Sequence, residues 1–234
     1  MGLSVIKVGG SLATQPIKLR ALCKKLSELS KRYSLVVVPG GGEFADVVRQ
    51  LDARFQLSRQ ASHRMAILGM DQYGLLLSDL ITDSVAVDRL ENARKAIEEH
   101  KLPILLPSRL LFRKDPLENS WDVTSDSIAL YIAHRLHADR ALLITDVDGI
   151  YTRDPKQEKN AKLIQNITPN ALLALDQRTS VDKALPKLLL QWRVNCYVIN
   201  GLFPDRVEDV LGGQKPLGTH ISTNHLSVSN PIKA

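Results

Sequence analysis

The sequence of 234 residues has few cysteines, few aromatic residues and no long apolar run. Its two cysteines, Cys23 and Cys196, lie far apart and form no C-x-x-C motif, which argues against a disulfide framework or a zinc site. No apolar run approaches the roughly 18 residues that a membrane-spanning helix requires, and no charged and then apolar leader opens the chain. These absences predict a cytoplasmic protein without a membrane partner.

The charge of the chain points to an anionic ligand. The formal net charge is +6, but the basic residues are scattered, and aromatic residues make up only 5%. Proteins that bind nucleic acid usually cluster basic and aromatic residues on one surface. The pattern therefore favours a small phosphorylated ligand over nucleic acid.

Strand and helix patterns alternate along the whole chain. The predicted strands cover residues 3–8, 35–38, 103–107, 141–144, 196–199 and, at an edge, 218–221. The predicted helices begin at Pro16, at Phe44 (with an apolar stripe of Phe44, Val47, Val48 and Leu51), at residues 58 and 91, and at Ser125, Thr168 and Pro204. Such repeated units predict an α/β protein whose mostly parallel sheet is covered by helices on both faces. We expect one domain over residues 1–234, with a flexible tail over 222–234.

Glycine or acidic residues follow three of the predicted strands. These segments are Lys7–Ser11 ("KVGGS"), Gly40–Gly42 and Thr145–Gly149 ("TDVDG"). Ligands of parallel sheets bind at the carboxyl ends of the strands, so we expect the three segments to form one site. Two glycine loops can hold a phosphoryl donor and an acceptor, with the charge of Lys7 beside the transferred group. The alternative is that the loops are tight turns and that Lys7 is a surface lysine.

The sequence excludes two other nucleotide-binding motifs. Gly40, Gly42 and Ala45 fit the loose dinucleotide fingerprint, but the region about 20 residues further on has neither a strand pattern nor an acidic residue. No Gly-Lys pair occurs in the chain, which excludes a Walker P-loop. The six histidines show no metal-ligand spacing with acidic residues, and we expect them to be non-catalytic.

Two polar segments carry further candidate residues. Residues 121–127 ("WDVTSDS") have the composition of a helix start. Either Ser125 or Asp126 caps that helix, or Asp126 holds a catalytic lysine by a charge-assisted hydrogen bond. Residues 145–155 ("TDVDGIYTRDP") form a long loop at a strand end, where loops in compact domains are more often functional than idle.

Taken together, these segments resemble the amino acid kinase family. The matching segments, in the order of the family, are residues 7–11, 39–42, 124–127, 145–151 and 185–188 ("LPKL"). The resemblance implies a three-layer αβα sandwich around a mainly parallel sheet, in a homodimer or larger homo-oligomer. It also implies that ATP lies over the C-terminal half, about residues 121–221, and the phosphoryl acceptor over the N-terminal half.

The resemblance implies a role for each candidate residue. Lys7 and Lys187 correspond to the two catalytic lysines, and Asp126 to the residue that orients them. The expected nucleotide residues are Gly9, Gly10, Ser11, Thr145, Asp146, Asp148, Gly149 and Tyr151; those expected at the acceptor are Gly41 and Gly42. Mg²⁺ rides on the phosphates, so no metal site made of protein ligands is expected. Asp182-Lys183-Ala184 replaces the Gly-Gly-Met common in the family, so Lys187 is alternatively an exposed helix lysine.

Within the family, Glu43–Asp46 differs from the Gly-His of isopentenyl phosphate kinases and the Arg-Gly of uridylate kinases. The stretches "PGGGEFADVVR", "SWDVTSDS" and "INGLFPDRVEDVL" are similar to a branch associated with methanofuran and methylofuran synthesis. That likeness implies phosphoryl transfer to [5-(aminomethyl)furan-3-yl]methyl phosphate, with Glu43, Asp46 and Asp122 as candidates for binding its ammonium group. The alternatives are another acceptor (a nucleoside monophosphate, isopentenyl phosphate or a carboxylate) and a nucleotide-binding regulatory module without turnover.

Overall fold

The computed structural model describes residues 2–155, 157–158, 160–175 and 179–223, so residues 224–234 of the predicted tail lie outside the described residues. The strands are β1 (Ser4–Val8), β2 (Leu35–Pro39), β3 (Ser84–Val87), β4 (Leu102–Leu105), β5 (Arg140–Thr145), β6 (Ile150–Tyr151), β7 (Leu163–Ile164), β8 (Asn166–Ile167), β9 (Asn195–Asn200) and β10 (Gly218–Ile221). The helices are α1 (Pro16–Ser30), α2 (Gly42–Phe55), α3 (Arg59–Leu80), α4 (Leu90–Glu98), α5 (Ser108–Lys114), α6 (Ser125–Leu136), α7 (Pro169–Leu173), α8 (Leu185–Trp192) and α9 (Asp205–Leu211), and a 3-10 helix covers Gly10–Thr14. Among the helices of the described residues, none combines the length and the apolar character needed to cross a membrane.

In the described part of the chain, eight strands form the central sheet in the order β3-β4-β2-β1-β5-β9-β10-β8. Strand β10 runs antiparallel to β9, and the other neighbouring pairs of this sheet are parallel. Strands β6 and β7 form a separate antiparallel pair beside the sheet. The sheet is therefore mainly parallel, as expected.

The side chains of β1 alternate between two hydrophobic cores, one on each face of the sheet. Val5 belongs to the core that contains α6 and α8, whereas Ile6 and Val8 belong to the core that contains α1 and α9. All three side chains are fully buried, as expected for a strand with helices on both faces. The three-layer αβα sandwich is thereby confirmed.

The carboxyl ends of β1, β2 and β5 lie side by side. Val8, the last residue of β1, is paired with Pro39 of β2 and with Ile144 of β5. Backbone hydrogen bonds from Gly9 N to Ile144 O and from Gly40 N to Val8 O, both 2.8 Å, continue this pairing beyond the strands. The three segments that follow these strands therefore leave one edge of the sheet from adjacent positions, as predicted.

Strand β3 and helix α5 were not predicted. The first three residues of β3 are only half-buried at the edge of the sheet, so the sequence lacks the continuous apolar run of a central strand. Helix α5 has only seven residues, and its start is fixed from another helix. There the N–H of Ser108 donates to Oδ1 of Asp71 at 3.2 Å. Neither element has a strong local signal.

The apolar stripe predicted for α2 is wrong in part. Val48 is buried, but Phe44 and Val47 are 38% and 53% exposed. Helix α2 lies close against α3, since a Cβ added to Gly69 would be 3.1 Å from the Cβ of Phe44. This packing leaves the two apolar side chains of α2 on the surface of the chain.

Candidate active site

The two glycine loops contact each other directly. A Cβ added to Gly10 would lie 2.0 Å from the N atom of Gly42, and one added to Gly40 would lie 2.6 Å from the N atom of Gly10. Gly42 has a φ of +53°, a left-handed conformation that favours glycine. Side chains are excluded from this contact, so the two loops meet through their backbones.

Lys7 is a buried cation with a buried partner. Its side chain lies on the same face of β1 as Val5, toward α6, because alternate residues of a strand share a face. The Nζ atom lies 2.7 Å from Oδ1 of Asp126, and both side chains are only 7% exposed. A Cβ added to Gly9 would lie 3.6 Å from the same Nζ, so the ammonium group adjoins the first glycine loop. The alternative that Lys7 is a surface lysine is wrong.

Asp182 was not predicted as a site residue, yet its carboxylate accepts five hydrogen bonds. Oδ2 accepts from Thr124 N (2.8 Å), Thr124 Oγ1 (3.0 Å) and Ser127 N (2.9 Å). Oδ1 accepts from Ser127 Oγ (2.6 Å) and Leu185 N (2.9 Å). Asp182 thereby joins the first turns of α6 and α8, and its own N–H donates to Oδ2 of Asp126 at 3.2 Å.

This network decides between the alternatives for Asp126. The capping bonds of α6 come from Asp182, and the side chain of the N-cap residue, Thr124, accepts none. The alternative that Ser125 or Asp126 caps the helix is therefore wrong, and the carboxylate of Asp126 binds Lys7 instead. The pKa of Asp182 is raised, because burial and the nearby charge of Asp126 outweigh the hydrogen bonds from Ser127.

The first glycine loop is joined to the loop that follows β5. The hydroxyl of Ser11 donates to Oδ1 of Asp146 at 3.1 Å, and the hydroxyl of Thr145 donates to the same oxygen at 3.3 Å. Gly149 lies against β10, where an added Cβ would be 2.5 Å from the hydroxyl of Thr219. The structure thus brings together Ser11, Thr145 and Asp146, three of the predicted nucleotide residues.

Asp148 and Tyr151 lie in a second polar group with two residues of the C-terminal segment. Oδ1 of Asp148 accepts from Arg206 Nη1 (2.5 Å) and Asn200 Nδ2 (3.0 Å), and Oδ2 accepts from the hydroxyl of Tyr151 (3.3 Å). Burial by itself raises the pKa of Asp148, but the hydrogen bonds from Arg206 and Asn200 outweigh it, so the pKa is lowered. Asp148 is therefore ionised at neutral pH.

A cavity of about 280 Å³ opens beside the two glycine loops, and we call it the acceptor cavity. Its lining comes from the 3-10 helix, α2, α3, the segment that precedes α6 and the start of α6. The predicted acceptor residues in this lining are Gly41, Gly42, Glu43 and Asp46. Apolar side chains, among them Ile67 and Met70, complete the wall.

Asp122 and Lys187 lie outside the acceptor cavity. Asp122 lines the neighbouring cavity, where its Oδ1 is 3.5 Å from Nζ of Lys183. Asp126, Asp182 and Lys183 line that second cavity too. Lys187 is an exposed residue of α8 and lines neither cavity. The structure does not bring Asp122 together with Glu43 and Asp46.

Three further residues of the acceptor cavity, Arg49, His63 and Trp121, were not predicted. A signal for Arg49 was available, since it lies three residues after Asp46 on one face of α2. His63 and Trp121 come from distant segments that no spacing connects. Burial lowers the pKa of His63, which favours the neutral imidazole. That the histidines are non-catalytic stays a prediction, and His225 lies outside the described residues.

The residues of this site suit a ligand that carries phosphate groups. Backbone N–H groups of glycine loops and a buried ammonium group suit phosphate oxygens. In the part of the chain that the structure describes, no group of three or more histidine, cysteine or acidic side chains could hold a metal ion.

Two glycine loops that meet at one edge of a parallel sheet, with a buried lysine beside the first loop, suit the binding of phosphate groups. The chain belongs to the amino acid kinase family, whose model matches residues 2–200. It is 41% identical over 221 residues to the [5-(aminomethyl)furan-3-yl]methyl phosphate kinase of Methanocaldococcus jannaschii, which covers 94% of this chain and 97% of that protein. It is 25% identical over 224 residues to the uridylate kinase of Thermococcus kodakarensis, which covers 90% of this chain and 95% of that protein.

The fold of this chain is similar to that of solved kinase structures. The uridylate kinase from Archaeoglobus fulgidus superposes with a TM-score of 0.74 at 20% identity and covers 95% of this chain and all of its own. An isopentenyl phosphate kinase in complex with substrate superposes with a TM-score of 0.65 at 22% identity and covers 94% of this chain and all of its own. At these identities, the likeness shows the fold alone.

Proposed function

We propose that the protein transfers the γ-phosphoryl group of ATP to [5-(aminomethyl)furan-3-yl]methyl phosphate and forms the corresponding diphosphate. The observation that carries the proposal is the 41% identity, over 94% of the chain, to the Methanocaldococcus jannaschii kinase of that name. The identity to the uridylate kinase of Thermococcus kodakarensis is only 25%. The co-substrate is ATP with Mg²⁺.

The proposed reaction asks for little covalent chemistry from the protein. An oxygen of the acceptor phosphate attacks the γ-phosphorus, the bond from that phosphorus to the oxygen bridging it to the β-phosphate breaks, and ADP leaves. The acceptor is a phosphate monoester with a second pKa of about 6, so its attacking oxygen is ionised at neutral pH and needs no general base. Catalysis then depends on positioning and on charge stabilisation.

In this proposal, the N-terminal elements of the site bring the two phosphates together. Lys7 stabilises the charge on the transferred phosphoryl group, and Asp126 holds its ammonium group in place. Gly9, Gly10 and Ser11 bind the phosphates of ATP, and bound Mg²⁺ neutralises part of their charge. The nucleotide is flanked by the remaining candidates, Thr145, Asp146, Asp148, Gly149 and Tyr151.

The second lysine of the reaction has two candidates. Both lysines are exposed, but Lys183 lines the same cavity as Asp126 and lies 3.5 Å from Asp122, whereas Lys187 lines neither cavity. Lys183 is favoured because it lines the cavity that Asp126 also lines. The variants Lys183→Ala and Lys187→Ala distinguish the two candidates. We expect Lys183→Ala to lose turnover and Lys187→Ala to keep it.

The acceptor is proposed to bind in the acceptor cavity, with its phosphate at Gly41 and Gly42. Glu43 and Asp46 line this cavity and are proposed to bind the ammonium group. Asp122 is a weaker candidate, because it lies in the neighbouring cavity and pairs with Lys183. A volume of about 280 Å³ is at the lower end of the usual range of ligand pockets and suits a small acceptor.

Incubation of the protein with Mg·ATP and the furan phosphate tests the proposal. We expect release of ADP and a new P–O–P linkage on the acceptor in the ³¹P spectrum. Uridine monophosphate, isopentenyl phosphate and glutamate are tested in parallel as acceptors. Turnover with one of these but not with the furan phosphate contradicts the proposed acceptor, and nucleotide binding without turnover on any acceptor favours a regulatory module.

We also propose that the enzyme works in the cytoplasm as a homodimer or larger homo-oligomer. Cys23 and Cys196 are both buried free thiols, as is common in reducing compartments. Exposed apolar side chains on α2 and α3, among them Val47 and Leu75, favour association with a second copy. The proposed partners are therefore a small phosphorylated substrate and other copies of this chain.

A further inference from the structure

Arg49 lies where the acceptor cavity meets the neighbouring cavity. Its side chain lines both, together with Trp121 and Thr124. The acceptor cavity contains the two glycine loops, and the neighbouring cavity contains Asp126, which holds Lys7. A group bound at this junction is therefore close to both parts of the site.

The guanidinium group of Arg49 stacks on Trp121, and a hydrogen bond holds Trp121 in turn. The central carbon of the guanidinium group lies 4.1 Å from the centroid of the Trp121 ring, which is a cation–π contact. The indole Nε1 of Trp121 donates to Oδ2 of Asp52 at 2.7 Å. Asp52 follows Arg49 by three residues in α2, so one helix holds the tryptophan in place and supplies the arginine that stacks on it.

The stacked guanidinium group keeps its outer edge available. Among the described residues, the carboxylate of Asp46 pairs with it at 3.9 Å between Nε and Oδ1, which is too long for a hydrogen bond. A guanidinium that stacks by its face can still donate two parallel hydrogen bonds from its edge to a phosphate. The side chain is 50% exposed, so a ligand in the cavity can reach it.

The charges of the acceptor cavity make Arg49 the group that can attract an anion. Among the described residues that line this cavity, Arg49 is the only lysine or arginine, whereas Glu43 and Asp46 are acidic. Lys7 is already paired with Asp126 at 2.7 Å. An acceptor phosphate in this cavity therefore needs Arg49 to balance its charge beside the two carboxylates.

We propose that Arg49, held against Trp121, binds the phosphate of the acceptor by a bidentate contact. The inference rests on the proposed function only in that the acceptor carries a phosphate. It applies to whichever phosphate monoester supports turnover.

The test compares Arg49→Gln and Arg49→Lys with a matched control, Arg54→Gln. Arg54 is an exposed arginine in the last turn of the same helix and lines neither cavity. For Arg49→Gln, we expect the KM of the acceptor and its Kd measured by calorimetry without ATP to rise roughly 10- to 100-fold. The KM of ATP stays within twofold of wild type. Arg49→Lys restores only part of the affinity, since an ammonium group cannot make the paired contact.

The outcomes separate this inference from the proposed function. Turnover with another phosphate monoester but not with the furan phosphate, together with the same loss in Arg49→Gln, refutes the proposed acceptor and supports Arg49. An unchanged acceptor Kd and KM in Arg49→Gln, an equal rise in the KM of ATP, or the same effect in Arg54→Gln overturns the inference. Absence of acceptor-phosphate binding to the wild-type protein overturns it as well.

Discussion

At the scale of single residues, the site depends on a lysine that is buried in a sheet and paired with one acidic neighbour. Lys7 and Asp126 are both only 7% exposed and lie 2.7 Å apart. Removing one partner of such a pair leaves a buried charge without compensation, which costs about 3–5 kcal/mol. A loss of activity in a single variant can therefore reflect misfolding, and the experiment has to separate charge stabilisation from folding.

The pair of variants Lys7→Met and Lys7→Met/Asp126→Asn makes this separation. We expect Lys7→Met to lower kcat roughly a thousandfold, because the missing charge acts mainly in the transition state. It also destabilises the fold, since Asp126 loses its partner. The double variant removes both charges and regains most of the stability but none of the turnover. Stability is measured by denaturant unfolding and turnover by ADP release.

A control for this experiment is Lys25→Met, which removes a lysine that pairs with Asp205 and Glu208 on another face of the molecule. Its turnover stays near that of wild type. Recovery of turnover in the Lys7→Met/Asp126→Asn variant would contradict the role of the lysine.

Single residues also mark the limit of what the sequence predicts about the site. Lys7 and the glycine loops have local signals, because a strand pattern ends in a lysine and then in glycine. The buried state of Lys7 and its contact with Asp126 follow from the position of α6 over β1, which no local spacing encodes. Trp121 lines the acceptor cavity and stacks on Arg49. The two residues are far apart in the sequence, so no local pattern predicts this contact.

At the scale of elements, Asp182 links two helices to the pair formed by Lys7 and Asp126. Its carboxylate caps α6 through Ser127 N and bonds Leu185 N in the first turn of α8, and its N–H donates to Asp126. The position of Asp126 thus depends on the contact between α6 and α8. Family likeness did not identify Asp182, because the chain departs from the usual family residues at this segment.

We expect Asp182→Asn to lower both stability and kcat, because an amide cannot accept all the hydrogen bonds that the carboxylate accepts. The loss of stability is about 1–2 kcal/mol, the usual scale of a lost cap. The matched control is Asp71→Asn, which weakens the anchor of α5 at Ser108 and changes a residue that lines neither cavity. It lowers the melting temperature but leaves kcat unchanged.

A double-mutant cycle tests whether Asp182 acts through Asp126. If it does, Asp182→Asn lowers kcat in the wild-type background by about tenfold or more and has little further effect in the Asp126→Asn background. An equal loss of kcat in both backgrounds means that Asp182 is only a structural cap. The KM of ATP is measured alongside, and it stays constant for a positioning residue.

Elements differ in how well the sequence predicts them, and the reason is burial. Strand β5 was predicted as 141–144 and observed as Arg140–Thr145, since a central strand is apolar on both faces. Strands β6, β7 and β8 have two residues each and carry no periodic pattern. Strand β3, at the sheet edge, was missed for the same lack of a continuous apolar run.

At the scale of the whole molecule, the chain carries more apolar surface on the α2–α3 hairpin than its own packing requires. Leu68 and Leu75 of α3 are 47% and 55% exposed and lie on one face of the helix, seven residues apart. Phe44 and Val47 of α2 are exposed as well. Association of two copies through this hairpin buries such side chains without any change in the fold.

We expect Leu75→Glu to shift the enzyme from an oligomer toward the monomer, because a carboxylate in an apolar interface loses its hydration. The residue is exposed in the single chain, so the fold itself stays stable. The control is Leu190→Glu, which places the same charge on an exposed leucine of α8. Light scattering after gel filtration at several concentrations gives the mass. A monomeric wild-type enzyme, or equal masses for Leu75→Glu and wild type, contradicts the prediction.

The direct backbone contact between Gly10 and Gly42 has a consequence for how the enzyme can open and close. The two loops leave adjacent, hydrogen-bonded strands, and no side chain fits between Gly10 and Gly42, so we expect the two loops to move as one unit. In the proposed reaction, the distance between the donor and acceptor phosphates is then set by the sheet. We therefore expect any closure over the bound substrates to come from segments farther from the sheet.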